Sequence, residues 1–111
     1  QARISELLLR LGQGSAASRV AYALLEFYIR LDAIGLVTDH RFAFPITQQK
    51  IGEFTGLSNV HVCRTMRRFE RDGFIAHPHN SEIILSDIGA LCDIAGVDLD
   101  VLRHEILTQR G

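Results

Sequence analysis

Residues 47–75 read TQQKIGEFTGLSNVHVCRTMRRFERDGFI, and this stretch decides the fold. Two short segments with helical apolar spacing flank a Gly-Leu-Ser corner at 56–58. Thr47 is a good N-cap for the first segment, although Lys50 stands where a full capping box would carry Glu or Gln. Ile51 and Phe54 are expected to point inward. Gly56 allows a left-handed turn, Ser58 caps the second segment, and Gly73 stops it after about Arg71. Two helices joined by a short Gly-containing turn form a helix-turn-helix. Gly52 would let the two helices cross closely, with Leu57 and Val62 sealing the corner.

The second helix has two unlike sides. At about 100° per residue, Arg64, Arg67 and Arg71 fall within roughly 40° of Val60. Cys63 lies on one flank of this stripe, and Arg68 and His61 lie on the other. Val62, Thr65, Met66 and Phe69 occupy the opposite side and read as core.

Outward from this stretch, ISELLLRL (Ile4 to Leu11) reads as a helix stopped by Gly12 and Gly14. Ser15 or Ser18 can cap the next helix, which runs to about Ala33 and ends at Gly35. Its Val20, Leu24, Phe27, Tyr28 and Leu31 follow the spacing of a buried face. Leu36 to Ile46 is a connection with a short extended piece, FAFPI, where Pro45 keeps Phe44 extended. After Gly73, FIAH and EIIL read as two strands of a hairpin joined by PHNS. Ser86 is expected to cap a helix through about Ala95, closed by Gly96, and a last helix spans Asp98 to Thr108. The fold class is therefore mostly α with a small β-hairpin wing, a winged helix-turn-helix. Cys92, on the apolar side of ALCDIAG, reads as core.

The chain has 111 residues, 47% hydrophobic and 23% charged, which suits one globular domain and excludes a disordered tract. No apolar run reaches the roughly 20 residues of a membrane span, because Glu26 and Arg30 interrupt the densest one. Two cysteines make no disulfide framework, so a reduced, cytoplasmic protein is expected. No signal peptide is visible, and the start at Gln1 suits a fragment. The net charge of −1 hides a division. Residues 47–73 set Lys50 and four arginines against Glu53, Glu70 and Asp72, for +2. Residues 74–111 set two arginines against Glu82, Asp87, Asp93, Asp98, Asp100 and Glu105, for −4.

A focused arginine stripe on a helix of this kind suits double-stranded DNA. The major groove admits one α-helix, and Arg donates two hydrogen bonds to guanine O6 and N7. Phosphates attract any nearby cation through counterion release. The early part of such a helix meets base edges and later residues reach the backbone. Base contacts are thus expected from Asn59, Val60, Cys63 and Arg64, and phosphate contacts from Thr47, Ser58, His61, Arg67, Arg68 and Arg71.

The stretch is similar to the winged-helix DNA-binding domain of the Crp/Fnr transcription regulators. That family's pattern is a Thr-capped helix, a Gly-Leu-Ser/Thr turn and a recognition helix with a central Arg. The match covers about Phe44 to Leu85 closely and the rest more loosely, and NVHVCR resembles a subgroup form VHVNR. The resemblance implies that residues 1–13 end a linking and dimerisation helix and that 14–111 form the DNA-binding domain. It implies an N-terminal sensing β-roll outside this chain, holding a small-molecule or redox effector, with no cofactor in this fragment. It also implies a homodimer in the full-length protein, a palindromic site with half-sites roughly 34 Å apart, and RNA polymerase as a further partner. The family's central Arg maps to Arg64. Its frequent Glu, which accepts from cytosine, maps to Val60, which can only pack against a thymine methyl.

Other residues invite competing readings. His61, Cys63, His77 and His79 lack zinc-ligand spacing, and no metal is expected. Cys63 beside Arg64 could sense oxidants, but a small residue fitted close to DNA is the plainer reading. Asp87, Asp93, Asp98 and Asp100 have no nucleophile or His beside them in a coherent motif, so no enzyme is expected. The alternative function is a winged-helix protein-interaction module without specific DNA binding.

Overall fold

A computed structural model describes residues 15–43, 48–79 and 81–108. In chain order these hold α1 (Ala16–Ala33), β1 (Val37–Thr38), β2 (Arg41–Ala43), α2 (Gln48–Thr55), α3 (Asn59–Arg71), β3 (Ile75–His79), β4 (Glu82–Leu85), α4 (Ile88–Ala95) and α5 (Leu99–Thr108). The expected helix over Ile4 to Leu11 and the proposed Thr47 cap lie outside the described residues, as do Phe44 and Pro45 of the extended piece.

Helix α1 is the centre of the core. Ser15 is its N-cap, accepting from the Ser18 amide at 3.1 Å. Val20, Ala21, Ala23, Leu24 and Leu25 are fully buried, and the helix packs against α2, α3, α4 and α5. Glu26 is buried too, and its carboxylate receives Arg30 one turn later at 2.8 Å. Gly35, at φ 79°, then turns the chain away in the left-handed region that glycine enters freely.

The β structure is more extensive than the expected hairpin. Four antiparallel strands stand in the order β1-β2-β4-β3. Thr38 and Arg41 pair around Asp39 and His40, which both have positive φ, at 52° and 62°. Two consecutive left-handed residues are what a two-residue hairpin turn matched to strand twist requires. Asp and His carry no glycine signal there, so the sequence reads as a connection where the chain forms the β1–β2 hairpin. Strand β3 also runs beyond FIAH to include Pro78 and His79, with a register shift between Ala76 and His79. Pro78 is tolerated because it falls in the register shift of an edge strand, where no ladder pair is formed.

One cap differs from expectation. Asp87, not Ser86, is the N-cap of α4, its carboxylate accepting from the Ala90 amide at 3.0 Å. A carboxylate at this position also complements the positive end of the helix dipole. Asp98 does the same for α5, accepting from Val101 at 3.0 Å. Gly96 closes α4 at φ 71°. Asp93, Asp98, Asp100 and Glu105 are all exposed, so the acidic charge of this half sits on the surface of α4, α5 and the turn between them.

Candidate nucleic-acid interface

The α2–α3 corner is built from one close approach and one buried hydroxyl. A Cβ added to Gly52 would lie 2.7 Å from the Leu57 carbonyl oxygen, so no side chain fits there. The Gly52 carbonyl accepts the amides of Gly56 at 2.7 Å and Leu57 at 3.0 Å, which folds the end of α2 back on itself. Gly56 sits at φ 77°, the left-handed residue such a helix end needs. Thr55 is 3% exposed, and its hydroxyl donates to the Ile51 carbonyl at 2.7 Å. Phe54 rests against Tyr22 and Phe27 of α1, at ring distances of 6.3 and 5.8 Å, which anchors α2 to the core.

Ser58 is the N-cap of α3, its hydroxyl accepting from the His61 amide at 3.3 Å. Val62, Thr65, Met66 and Phe69 are buried, and Phe69 meets Phe74 at 6.1 Å beyond the helix end. Thr65 lies among them because its hydroxyl donates to the His61 carbonyl at 2.9 Å, leaving its methyl to the core. Asn59, His61, Arg64, Arg67, Arg68 and Arg71 are exposed, Cys63 is half-buried, and Val60 is 58% exposed. The structure therefore brings nine of the ten residues expected at the interface onto one helix and its cap. Thr47, the tenth, lies outside the described residues.

The arginines are not equivalent. Arg68 lies 4.0 Å from Asp72 one turn on. Among the described residues, Arg64, Arg67 and Arg71 form no ion pair. Three guanidinium groups thus stand along about 10 Å of helix with no described carboxylate within ion-pair distance. An exposed valine beside them adds an apolar spot to the same face.

Strands β3 and β4 follow α3 directly as a hairpin, and Glu82 of β4 reaches Arg41 of β2 at 3.3 Å. The His77 ring nitrogen Nδ1 lies 3.2 Å from the Glu82 carbonyl, so this histidine braces the hairpin. Among the described residues no three His, Cys, Asp or Glu side chains gather as a metal would require. Burial pushes the Cys92 thiol pKa up, with the nearby charges of Asp93 and Asp98 adding to it. Cys92 is therefore a protonated core residue, as its place in ALCDIAG suggested. One contact at the corner had no sequence signal: Arg19 of α1 donates to the Thr55 carbonyl at 3.4 Å.

Comparison with known proteins agrees with this architecture. Residues 18–94 match the model of the Crp-like helix-turn-helix domain. Transcriptional activator protein FnrA of Stutzerimonas stutzeri is 30% identical over 95 residues, which is 86% of this chain and 38% of that protein. Transcriptional activator protein FnrL of Cereibacter sphaeroides is 30% identical over 99 residues, covering 86% of this chain and 40% of that protein. The chain thus spans about two fifths of these relatives. Among solved structures, FixK2 from Bradyrhizobium japonicum superposes with a TM-score of 0.65 at 24% identity, over 81% of this chain and 43% of that one. CprK gives 0.61 at 21% identity, over 83% of this chain and 41% of that one. With a winged helix-turn-helix fold and a family match over most of its length, the chain belongs to the Crp-like helix-turn-helix domains, the DNA-binding modules of Crp/Fnr-type transcription regulators.

Proposed function

We propose that this chain reads a specific palindromic DNA site by seating α3, with its cap, in the major groove. The observation that carries this is the outer face of α3: Arg64, Arg67 and Arg71, which form no ion pair among the described residues, beside an exposed Val60. Solvent alone gives no reason to keep three like charges together, whereas a polyanion rewards each of them. In this reading Asn59, Val60, Cys63 and Arg64 face base edges. Arg64 donates two hydrogen bonds to a guanine and Val60 packs on a thymine methyl. Ser58, His61, Arg67, Arg68, Arg71 and Thr47 meet phosphates and hold the register. Arg68 contributes least, since Asp72 competes for it.

The relatives are transcriptional activators more than twice as long as this chain. The whole protein is accordingly proposed as a cytoplasmic, homodimeric regulator. A second part of it would bind an effector, and it would engage RNA polymerase at the promoter.

Selection of bound duplexes from a random pool by the dimeric full-length protein, at moderate salt, tests the reading. The expected result is an enriched palindrome with one guanine per half-site assigned to Arg64. Arg64→Ala should then cost about 1–3 kcal/mol of binding and relax selection at that base pair alone. Binding without enrichment, fading steeply with salt, would leave the arginines as phosphate ligands only and favour a protein-interaction role for the fold.

A further inference from the structure

Thr55 and Arg19 meet where the pose of α3 is decided. Thr55 is the last residue of α2, and its buried hydroxyl joins the two sides of the corner. It donates to the Ile51 carbonyl at 2.7 Å and accepts from the Leu57 amide at 3.3 Å. The Thr55 carbonyl belongs to the group left open at any helix C-terminus. Here it accepts from Arg19 Nη1 at 3.4 Å, and the guanidinium also faces the negative end of the α2 dipole. Arg19 is only half-buried, but it stands near the start of α1, the helix around which the core is built.

We propose that Arg19 and Thr55 form a clasp between α1 and the helix-turn-helix corner, making both positioning residues for sequence selectivity. The proposal rests on the DNA-binding reading of α3. Asn59, Val60 and Arg64 follow the clasped corner by four to nine residues on a stiff helix, so a displaced corner displaces all three together. Base-edge hydrogen bonds need close geometry, whereas long arginines reaching phosphates adapt to a shifted helix. A loosened clasp should therefore cost selectivity before it costs affinity for DNA in general.

The test uses Arg19→Met, which keeps the stem and removes the guanidinium, together with Arg19→Lys and Thr55→Val. Affinity is measured for the selected duplex and for a random duplex over a range of salt. Amide exchange of Leu57 and Leu24 is followed in the free protein. Arg19→Met is expected to weaken the selected duplex about fivefold and the random one less than about twofold, with an unchanged salt slope. Leu57 exchange should quicken while Leu24, in the core, stays protected. Thr55→Val should act in the same direction, and Arg19→Lys should restore most of the selectivity. Equal loss on both duplexes with a shallower salt slope would make Arg19 a phosphate ligand and overturn the clasp alone. Unchanged selectivity and unchanged Leu57 exchange would overturn it as well. A wild-type chain that bound all duplexes alike would overturn the base-reading assignment and the clasp's role in selectivity together.

Discussion

Helix α1 buries nine of its eighteen residues, Glu26 among them, whereas α3 buries four of thirteen, all on one side. Both are amphipathic in sequence, but the apolar band of α1 is wide enough to receive neighbours from several directions. The band of α3 is one or two residues wide at each turn and meets α1, α2 and β3 from one side of the helix. A helix that supplies the core has little face left for a partner. A helix that is merely held by the core keeps most of its surface available, and α3 fills that surface with charge. The difference separates what folds the molecule from what the molecule presents.

Substitutions can break that separation or sharpen it. Leu24→Ala in α1 removes a fully buried side chain and should cost about 2–5 kcal/mol of stability by chemical denaturation. DNA binding should then fall only as the folded fraction falls. If Leu24→Ala weakened binding with the fold intact, α1 and α3 would not be separable in this way. Gly52→Ala forces a methyl group against the Leu57 carbonyl and should cost about 1–3 kcal/mol, with the α2–α3 angle disturbed. Gly89→Ala is its control: the nearest atom to the new Cβ is 3.6 Å away, and stability should hold or rise slightly. Equal effects at the two glycines would remove the close approach as the reason for Gly52.

The smallest effect concerns the two thiols. Half-buried Cys63 should alkylate first, and buried Cys92 only through opening of the fold. The Cys92 pKa is raised in the folded state, so its stabilising contribution is complete below the ordinary thiol pKa of 9.0 and is lost as pH rises beyond it. Denaturation at pH 8 and pH 10 would show this as a stability decrease that is smaller in a Cys92→Ala variant. Faster labelling of Cys92 than of Cys63 would contradict both placements.

The sequence made α3 legible because its pattern is local. Val62, Thr65, Met66 and Phe69 recur at helical spacing, and the Gly56–Ser58 corner announces itself. The family's resemblance sharpened the same positions. What escaped was either non-local or ambiguous. No periodicity links Arg19 to Thr55, 36 residues later, because that contact exists only once α1 and α2 have packed. The β1–β2 hairpin rests on Asp39 and His40 in left-handed conformation, which Asn-Gly would have advertised and Asp-His does not. Ser86 and Asp87 were both chemically able to cap α4, and only the geometry chose between them.

The division of charge between α3 and the α4–α5 region has a kinetic meaning. With a net charge of −1, the chain as a whole is barely drawn to a polyanion. Its charges are nevertheless carried on different elements, arginines on α3 and exposed Asp93, Asp98, Asp100 and Glu105 after β4. On the DNA-binding reading, charges of opposite sign carried on different elements would let the field of a duplex orient the domain as well as attract it, favouring encounters led by α3.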